Sequence, residues 1–219
     1  MVPRAVEDNL QSEIYLCSPK KVEGVSYLPM IRFKRVLEQI DLSRYDTLLF
    51  TSKQAVVFTN EICCNWRYKK ILAVGEQTAK VCREFGAKDI YFPTEYYGSV
   101  LASDIVRNFA NAKIVYLRPR VISFDSTAFM QSQGIDIEER ILYETQCIEY
   151  EKDNLTKNAT IIFTSPSTIR CFFKSFQWRE SYKAVVIGKT TLEQLPEGIC
   201  ATVSPKATIA ACIETAQNM

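Results

Sequence analysis

Hydroxyl side chains stand at four points of the sequence where an apolar run ends and a helical pattern begins. These points are Phe-Thr-Ser at 50–52 and at 163–165, and glycine with threonine three residues later at Gly75–Thr78 and at Gly188–Thr191. A serine in this place caps a helix by accepting a backbone N–H. The free N–H groups of a helix start also attract carboxylates and phosphates. The pattern therefore predicts helix caps, and it leaves open whether they also bind an anion.

The chain has no histidine, and this excludes several kinds of catalytic site. Ser-His-Asp and Cys-His nucleophiles, zincin sites and imidazole proton shuttles all need that side chain. A catalytic acid or base must be a carboxylate, tyrosine, lysine, substrate or water. Neither glycine site matches a dinucleotide-binding loop or a P-loop. We therefore expect no cofactor and no metal.

Eight cysteines are spread along the chain without a C-x-x-C pair. Most stand inside apolar strand or helix patterns, where a free cysteine behaves as a small apolar residue. We predict that they are reduced core residues and that they form neither a metal site nor disulfides.

The elements that carry these motifs occur twice, at an offset of 113 residues. Thr47–Ser52 (TLLFTS) returns as Thr160–Ser165 (TIIFTS), and Lys70–Gly75 (KILAVG) returns as Lys183–Gly188 (KAVVIG). Short, continuously apolar runs alternate with helical patterns in both copies, which is typical of parallel strands covered on both faces. The predicted fold is α/β, with two similar doubly wound, flavodoxin-like domains. A site between two like domains is the leading hypothesis.

The order of elements predicts that one domain is inserted in the other. The second copy lacks a strand after its last helix, and Ile14–Pro19 (IYLCSP) resembles Val115–Pro119 (VYLRP) of the first copy. We predict a discontinuous domain of residues 1–34 and 150–219, with an inserted domain of 38–143. The crossings, 31–37 and 143–150, are expected to pair as a two-stranded antiparallel linker.

Composition excludes some partners. The net charge of +2 does not favour nucleic acid, no apolar run is long enough to span a membrane, and Met1–Gln11 lacks the apolar stretch of a signal peptide. We expect a cytoplasmic protein that binds neither nucleic acid nor membrane.

An ordered series of short motifs resembles the uroporphyrinogen-III synthase family. The series is DTLLFTS at 46–52, VGEQT at 74–78, Tyr-Glu-Thr at 143–145, IFTSPS at 162–167 and IGKTT at 187–191. The resemblance implies two α/β domains joined by a two-stranded linker and catalysis without cofactor or metal. It also implies the substrate, hydroxymethylbilane, a linear tetrapyrrole with eight carboxylates. Members remove water from its hydroxymethyl end and close the ring with the last pyrrole inverted.

The resemblance also implies the site. Tyr143 matches the family's tyrosine over the cleft, where a phenol would donate to the departing hydroxyl; a half-buried strand aromatic is the alternative. It follows Ile135, Ile137 and Ile141 in an alternating run, which predicts that all four share the apolar face of a strand. Lysines and arginines near the four helix starts would bind carboxylates or serve only as solvated surface. The predicted substrate-binding residues are Ser18, Thr51, Ser52, Lys53, Gly75, Thr78, Ser99, Arg118, Ser165, Pro166, Ser167, Lys189, Thr190 and Thr191.

Two other functions are alternatives to ring synthesis. One is a non-catalytic two-domain protein that binds an anionic ligand, and the other is a regulatory relic of the synthase fold. A relic is expected to lose Tyr143 or the hydroxyl residues at the helix starts, and all of these are present. We expect a monomer, with a transient contact to hydroxymethylbilane synthase left open.

Overall fold

The chain divides into two compact units. The computed structural model describes residues 12–95, 98–122, 125–151 and 155–219. One unit combines the chain up to Arg32 with Gln146–Met219, and the second unit is Phe33–Thr145. The opening stretch, 1–11, on which the expectation about a signal peptide depends, lies outside the described residues.

Strands and helices alternate through most of the chain. The strands are β1 Glu13–Cys17, β2 Ser26–Tyr27, β3 Ile31–Arg35, β4 Thr47–Phe50, β5 Lys70–Ala73, β6 Ile90–Tyr91, β7 Lys113–Pro119, β8 Asp136–Cys147, β9 Ala159–Phe163, β10 Lys183–Val186 and β11 Ala201–Val203. The helices are α1 Lys53–Ile62, α2 Glu76–Glu84, α3 Gly98–Asn108, α4 Ser126–Ser132, α5 Pro166–Ser175, α6 Lys189–Leu192 and α7 Ile209–Gln217.

The second unit holds a sheet of strand order β3-β8-β7-β4-β5-β6. The pairs from β8 to β6 are all parallel. One face carries a core with residues of α1 and α2, and the other face carries a core with residues of α3 and α4. The central strands are buried on both sides, which explains why they read as continuous apolar runs. The predicted doubly wound parallel sheet is confirmed.

The sheet of the first unit has the strand order β11-β10-β9-β1-β2. Read from the opposite edge, this order repeats that of the second unit, with β9 in the place of β4 and β1 in the place of β7. Strand β1 lies beside β9 as β7 lies beside β4, and both pairs are parallel. The register corrects one detail of the sequence comparison. Leu16 faces Ile162 as Tyr116 faces Leu49, so β1 and β7 correspond at an offset of 100 residues, and the alignment of Ile14 with Val115 was wrong by one position. A slip of one residue places every side chain on the opposite face.

A β-bulge overturns the predicted face of Tyr143. Ile135 and Ile137 lie in the core under α3 and α4, whereas Leu142 and Tyr143 both lie in the core under α1 and α2. The register of β7 and β8 shifts between Arg118 and Pro119, so that Leu142 is the extra residue. A bulge interrupts the alternation of side chains, and every residue beyond it changes face.

Strands β3 and β8 are neighbours in the strand order. In the second unit Val36 N–H donates to Leu142 O at 2.9 Å, and in the first unit Ile148 N–H donates to Met30 O at 2.9 Å. These bonds satisfy backbone groups in each unit. The role of the two segments as a linker stays a prediction.

The cysteine prediction was wrong for one pair. Cys147, at the end of β8, forms a disulfide with Cys171 of α5, at a Cα–Cα separation of 5.2 Å. The sequence spacing carries no signal for this bond, because the fold brings together residues 24 positions apart. Cys64 and Cys200 are exposed, so these two are not core residues either. Within the described residues, no helix combines the length and apolarity needed to cross a membrane.

Candidate functional site

Two serines cap the first helix of each repeat in the same way. Ser52 has φ −151° and ψ 148°, and its Oγ accepts the N–H of Ala55 at 3.1 Å. Ser165 has φ −168° and ψ 162°, and its Oγ accepts the N–H of Thr168 at 3.3 Å. Both lie at the carboxyl end of a central strand, with the first free N–H groups of a ten-residue helix beside them. The predicted caps are present.

Two glycines begin the second helix of each repeat. Gly75 and Gly188 are both fully extended, and neither helix start has a side-chain cap. Thr78 and Thr191 donate their N–H groups to these glycines' carbonyls, at 3.1 Å in both cases, and both are buried.

The two glycine-started helices differ in length. Helix α2 has nine residues, whereas α6 has four and ends at Leu192; Pro196 disfavours helical backbone at Leu195, which limits any extension of α6. A single turn supplies a smaller dipole than a full helix. Helix α6 is therefore the weakest of the four predicted anion sites.

Tyr143 meets Ser52 inside the second unit. Its hydroxyl lies 2.9 Å from Ser52 Oγ, and only 4% of the residue is exposed. Its ring makes an edge contact with Phe33 and a tilted contact with Phe58, each at 5.6 Å between centroids. Burial raises the pKa of the Tyr143 phenol, and the hydrogen bond with Ser52 lowers it by less. Tyr143 is therefore a neutral donor at physiological pH.

The Ser52–Tyr143 pair retains one hydroxyl proton for a third group. Ser52 Oγ already accepts the Ala55 N–H, and either hydroxyl of the pair can be the donor to the other. Two hydroxyl protons are present and one lies between the oxygens, so the other remains to donate. The arrangement is a short relay that ends in a single O–H donor.

Thr51 holds a second phenol on the opposite side of the sheet. Its Oγ1 lies 2.7 Å from the hydroxyl of Tyr116, which is 2% exposed. Burial raises the pKa of Tyr116, and the bond with Thr51 and the nearby Arg118 charge lower it by less. Sequence reasoning missed Tyr116. The available signal was a tyrosine inside the apolar run of β7, two residues before Arg118.

Thr51 and Ser52 also line a cavity of about 240 Å³ at the carboxyl edge of the second unit's sheet. Tyr116 and Ser126 contribute two further hydroxyl-bearing side chains to its wall, and Val74 and Ile122 contribute apolar surface. None of the described lining residues is charged. Gly98 also lines the cavity, next to the predicted but exposed Ser99.

The predicted basic residues differ in their exposure and in their bonds to other residues. Arg118 Nη2 forms an ion pair with Glu139 at 2.9 Å, and its Nη1 donates to the carbonyls of Pro119 and Arg120. With its side chain only 15% exposed, Arg118 is mainly a structural partner of Glu139. Lys53 and Lys189 are exposed at the starts of α1 and α6.

The remaining predicted residues lie in the first unit. Ser18 is buried after β1, and its Oγ accepts the N–H of Lys20 at 3.1 Å. Pro166 is the first residue of α5, where its missing N–H has no helical partner to lose. Ser167 Oγ accepts a bond from Arg170 at 3.2 Å, and Thr190 is exposed.

No group of three or more acidic or cysteine side chains that could hold a metal ion occurs in the part of the chain that the structure describes.

Comparisons with known proteins identify one family. The family model of uroporphyrinogen-III synthase HemD matches residues 24–214. The porphyrin biosynthesis protein HemD of Ruminiclostridium josui is 28% identical over 191 residues, which are 80% of this chain and 38% of that protein. The chain thus spans well under half the length of this curated relative.

Solved structures share the fold. The uroporphyrinogen-III synthetase of Helicobacter pylori superposes with a TM-score of 0.80 at 24% identity, over 94% of this chain and 99% of the other. A mutant uroporphyrinogen III synthase of Thermus thermophilus superposes with a TM-score of 0.60 at 10% identity, over 94% and 98%. With the family model covering most of its length, this chain belongs to the uroporphyrinogen-III synthase HemD family.

Proposed function

We propose that this chain is a uroporphyrinogen-III synthase, a lyase that removes water from hydroxymethylbilane and closes the ring with ring D inverted. The observation that carries the proposal is the match to the family model over residues 24–214, which include the Ser52–Tyr143 pair. A non-catalytic anion-binding protein would need neither a buried phenol at a helix start nor the family's full set of motifs. The enzyme reading therefore fits more of the molecule.

The first chemical step breaks the carbon–oxygen bond of the hydroxymethyl group. The bond's electron pair leaves with oxygen, the free O–H of the Ser52–Tyr143 relay donates a hydrogen bond to that oxygen, and the proton that ring closure releases completes the water. The pyrrole nitrogen stabilises the resulting cation. Because burial raises the pKa of Tyr143, the phenol donates a hydrogen bond more readily than it gives up its proton completely. The relay's contribution is therefore moderate.

Orientation is the larger task. Unguided closure of a flexible tetrapyrrole gives the isomer without inversion, so the enzyme must hold the chain in one closing geometry. Carboxylate arms of the substrate would accept hydrogen bonds from the free N–H groups at the starts of α1 and α2. The exposed Lys53 and Lys189 add positive charge at two helix starts. The protein is expected to act as a cytoplasmic monomer, with no cofactor and at most a transient contact with hydroxymethylbilane synthase.

The deciding experiment measures the isomer. Freshly prepared hydroxymethylbilane is incubated with the purified chain, and the products are oxidised and separated by chromatography. The proposal expects type III product in excess of the spontaneous type I product, with a rate proportional to enzyme concentration. A product distribution identical to the enzyme-free reaction would favour the binding-protein alternative.

A further inference from the structure

Ser52 and Tyr116 both line the cavity, whereas Tyr143 does not, and the two phenols belong to opposite faces of the sheet. The Tyr143 ring lies in the core under α1 and α2, whereas Tyr116 belongs to the core under α3 and α4. Strand β4 explains the separation. Its side chains alternate between the faces, Leu49 on one and Phe50 on the other, so the two residues after it also point to opposite sides. Thr51 therefore meets Tyr116, and Ser52 meets Tyr143.

The cavity has the chemistry of a site for one acidic arm. Hydroxyl-bearing residues form part of its wall, and hydroxyls donate hydrogen bonds to a carboxylate; these residues are Thr51, Ser52, Tyr116 and Ser126. Apolar residues form another part, including Val74 and Ile122, and these suit the face of a pyrrole ring. A volume of about 240 Å³ is small beside the sites that enclose whole ligands, which run from about 300 to 1,000 Å³. It suits a portion of a tetrapyrrole rather than the whole.

The Thr51–Tyr116 pair also retains one O–H group that can donate a hydrogen bond. Either hydroxyl can be the donor in that 2.7 Å bond, so one of the two O–H groups remains for a further acceptor. Both residues line the cavity, which gives that O–H a place to act. The described residues of the first unit form no equivalent pair at these positions, because Leu16 stands where Tyr116 stands, and Thr164 donates to the carbonyl of Cys17 at 2.7 Å.

We propose that Tyr116 and Thr51 bind one carboxylate-bearing pyrrole of the substrate in this cavity, as a binding pair separate from the Ser52–Tyr143 relay. The proposal rests on the proposed function, since it takes its ligand from that reaction. Tyr116 touches the carboxylate arm and not the departing hydroxyl. Its loss therefore weakens binding in the ground state and the transition state alike, which raises KM and leaves kcat nearly unchanged.

The test is steady-state kinetics of Tyr116→Phe and Thr51→Val with hydroxymethylbilane. Each substitution keeps the shape of the side chain and removes the hydroxyl. We expect KM to rise about tenfold, as for the loss of one hydrogen bond to a charged group, with kcat within about threefold of wild type and the type III isomer retained. Tyr91→Phe is the matched control, because Tyr91 donates to Asp104 at 2.7 Å in the same unit and does not line the cavity. An unchanged KM, or a fall in kcat at constant KM, overturns the proposal.

A second measurement separates this inference from the proposed function. A monopyrrole bearing one acetate and one propionate arm is titrated into isotope-labelled protein and followed by NMR. Saturable shifts at Thr51 and Tyr116 in wild type, absent in Tyr116→Phe, support the cavity site even if wild type forms no type III isomer and the proposed function fails. No saturable shift at these residues in wild type overturns the cavity site, whatever the isomer assay gives.

Discussion

A serine caps the first helix of the repeat in both units, but the further hydrogen bonds around the two serines differ. In the first unit, Thr168 closes a capping box: its Oγ1 accepts the N–H of Ser165 at 3.2 Å while Ser165 Oγ accepts the N–H of Thr168. In the second unit the residue that matches Thr168 is Ala55, which has no hydroxyl to accept the serine's N–H. Ser52 forms its second side-chain hydrogen bond with Tyr143 of β8. One cap is complete within its helix, and the other depends on a distant strand.

The neighbouring threonines repeat this contrast. Thr164 donates to a backbone carbonyl of the next strand, while Thr51 bonds the phenol of Tyr116. Position 58 of α1 corresponds to 171 of α5, and there Phe58 packs on Tyr143 while Cys171 is bonded to Cys147. The scaffold is duplicated, but among the described residues a phenol bonds the Thr-Ser pair after the central strand only in the second unit. The two hydroxyl–phenol pairs that could donate a proton therefore lie in one copy.

Loss of the covalent bond in the first unit should have the greatest consequence. Removing the disulfide in a Cys147→Ser, Cys171→Ser double variant should lower the free energy of unfolding by about 3 kcal/mol, because a cross-link over 24 residues restricts the unfolded chain. Urea denaturation without reductant measures this, with Cys64→Ser as the control for an exposed free thiol. Titration of eight free thiols in unreduced, denatured wild type would show that the bond does not form.

The second effect tests the relay of the second unit. Tyr143→Phe should lower kcat about 10²-fold, at the lower end of general acid catalysis, while the type III isomer is retained because the helix starts still orient the substrate. Initial rates and isomer ratios are measured beside Tyr91→Phe, which removes a phenol from the same unit without touching Ser52. A wild-type rate for Tyr143→Phe would remove Tyr143 from the catalytic residues.

The third prediction compares the two caps directly. Ser52→Ala and Ser165→Ala each remove an N-cap, and each should cost about 1 kcal/mol of stability. Only Ser52→Ala should also slow the reaction, by about tenfold, because only Ser52 completes a relay to a phenol. Thermal unfolding and initial rates are measured for both. Equal rate losses in the two variants would mean that the caps act through helix stability alone.

The features that depend on neighbouring residues could be predicted from the sequence. The apolar periodicity, the duplicated Phe-Thr-Ser and the serine caps are properties of neighbouring residues, and they appear in the structure where the patterns put them. The partners of the caps could not be read in the same way. Tyr143 reaches Ser52 because a bulge at Leu142 moves its side chain to the other face of the sheet. No residue type in that strand predicts the bulge.

The same limit explains the other two errors. The motif around Ile14 can be aligned with β7 at two positions that differ by one residue and look equally similar. The pairing of Leu16 with Ile162 in the structure decides between them. Cys147 and Cys171 are joined because β8 and α5 meet in the fold. Predictions from local pattern therefore failed where a contact between distant segments decides the outcome.

The buried phenols also predict a weak dependence of stability and rate on pH. In the unfolded chain a phenol has a pKa of 10.0, and burial raises the pKa of Tyr143 and Tyr116 above that value. Folding therefore favours the neutral phenols: their contribution to stability is complete below about pH 10 and is lost as the pH rises through the folded-state values. The kcat should not fall through ionisation of Tyr143 between pH 7 and about pH 10, and the alkaline loss above this should be weaker in Tyr143→Phe. Initial rates corrected for spontaneous closure measure it, and a fall with a midpoint below about pH 9 that disappears in Tyr143→Phe would mean that a neighbouring group acidifies the phenol.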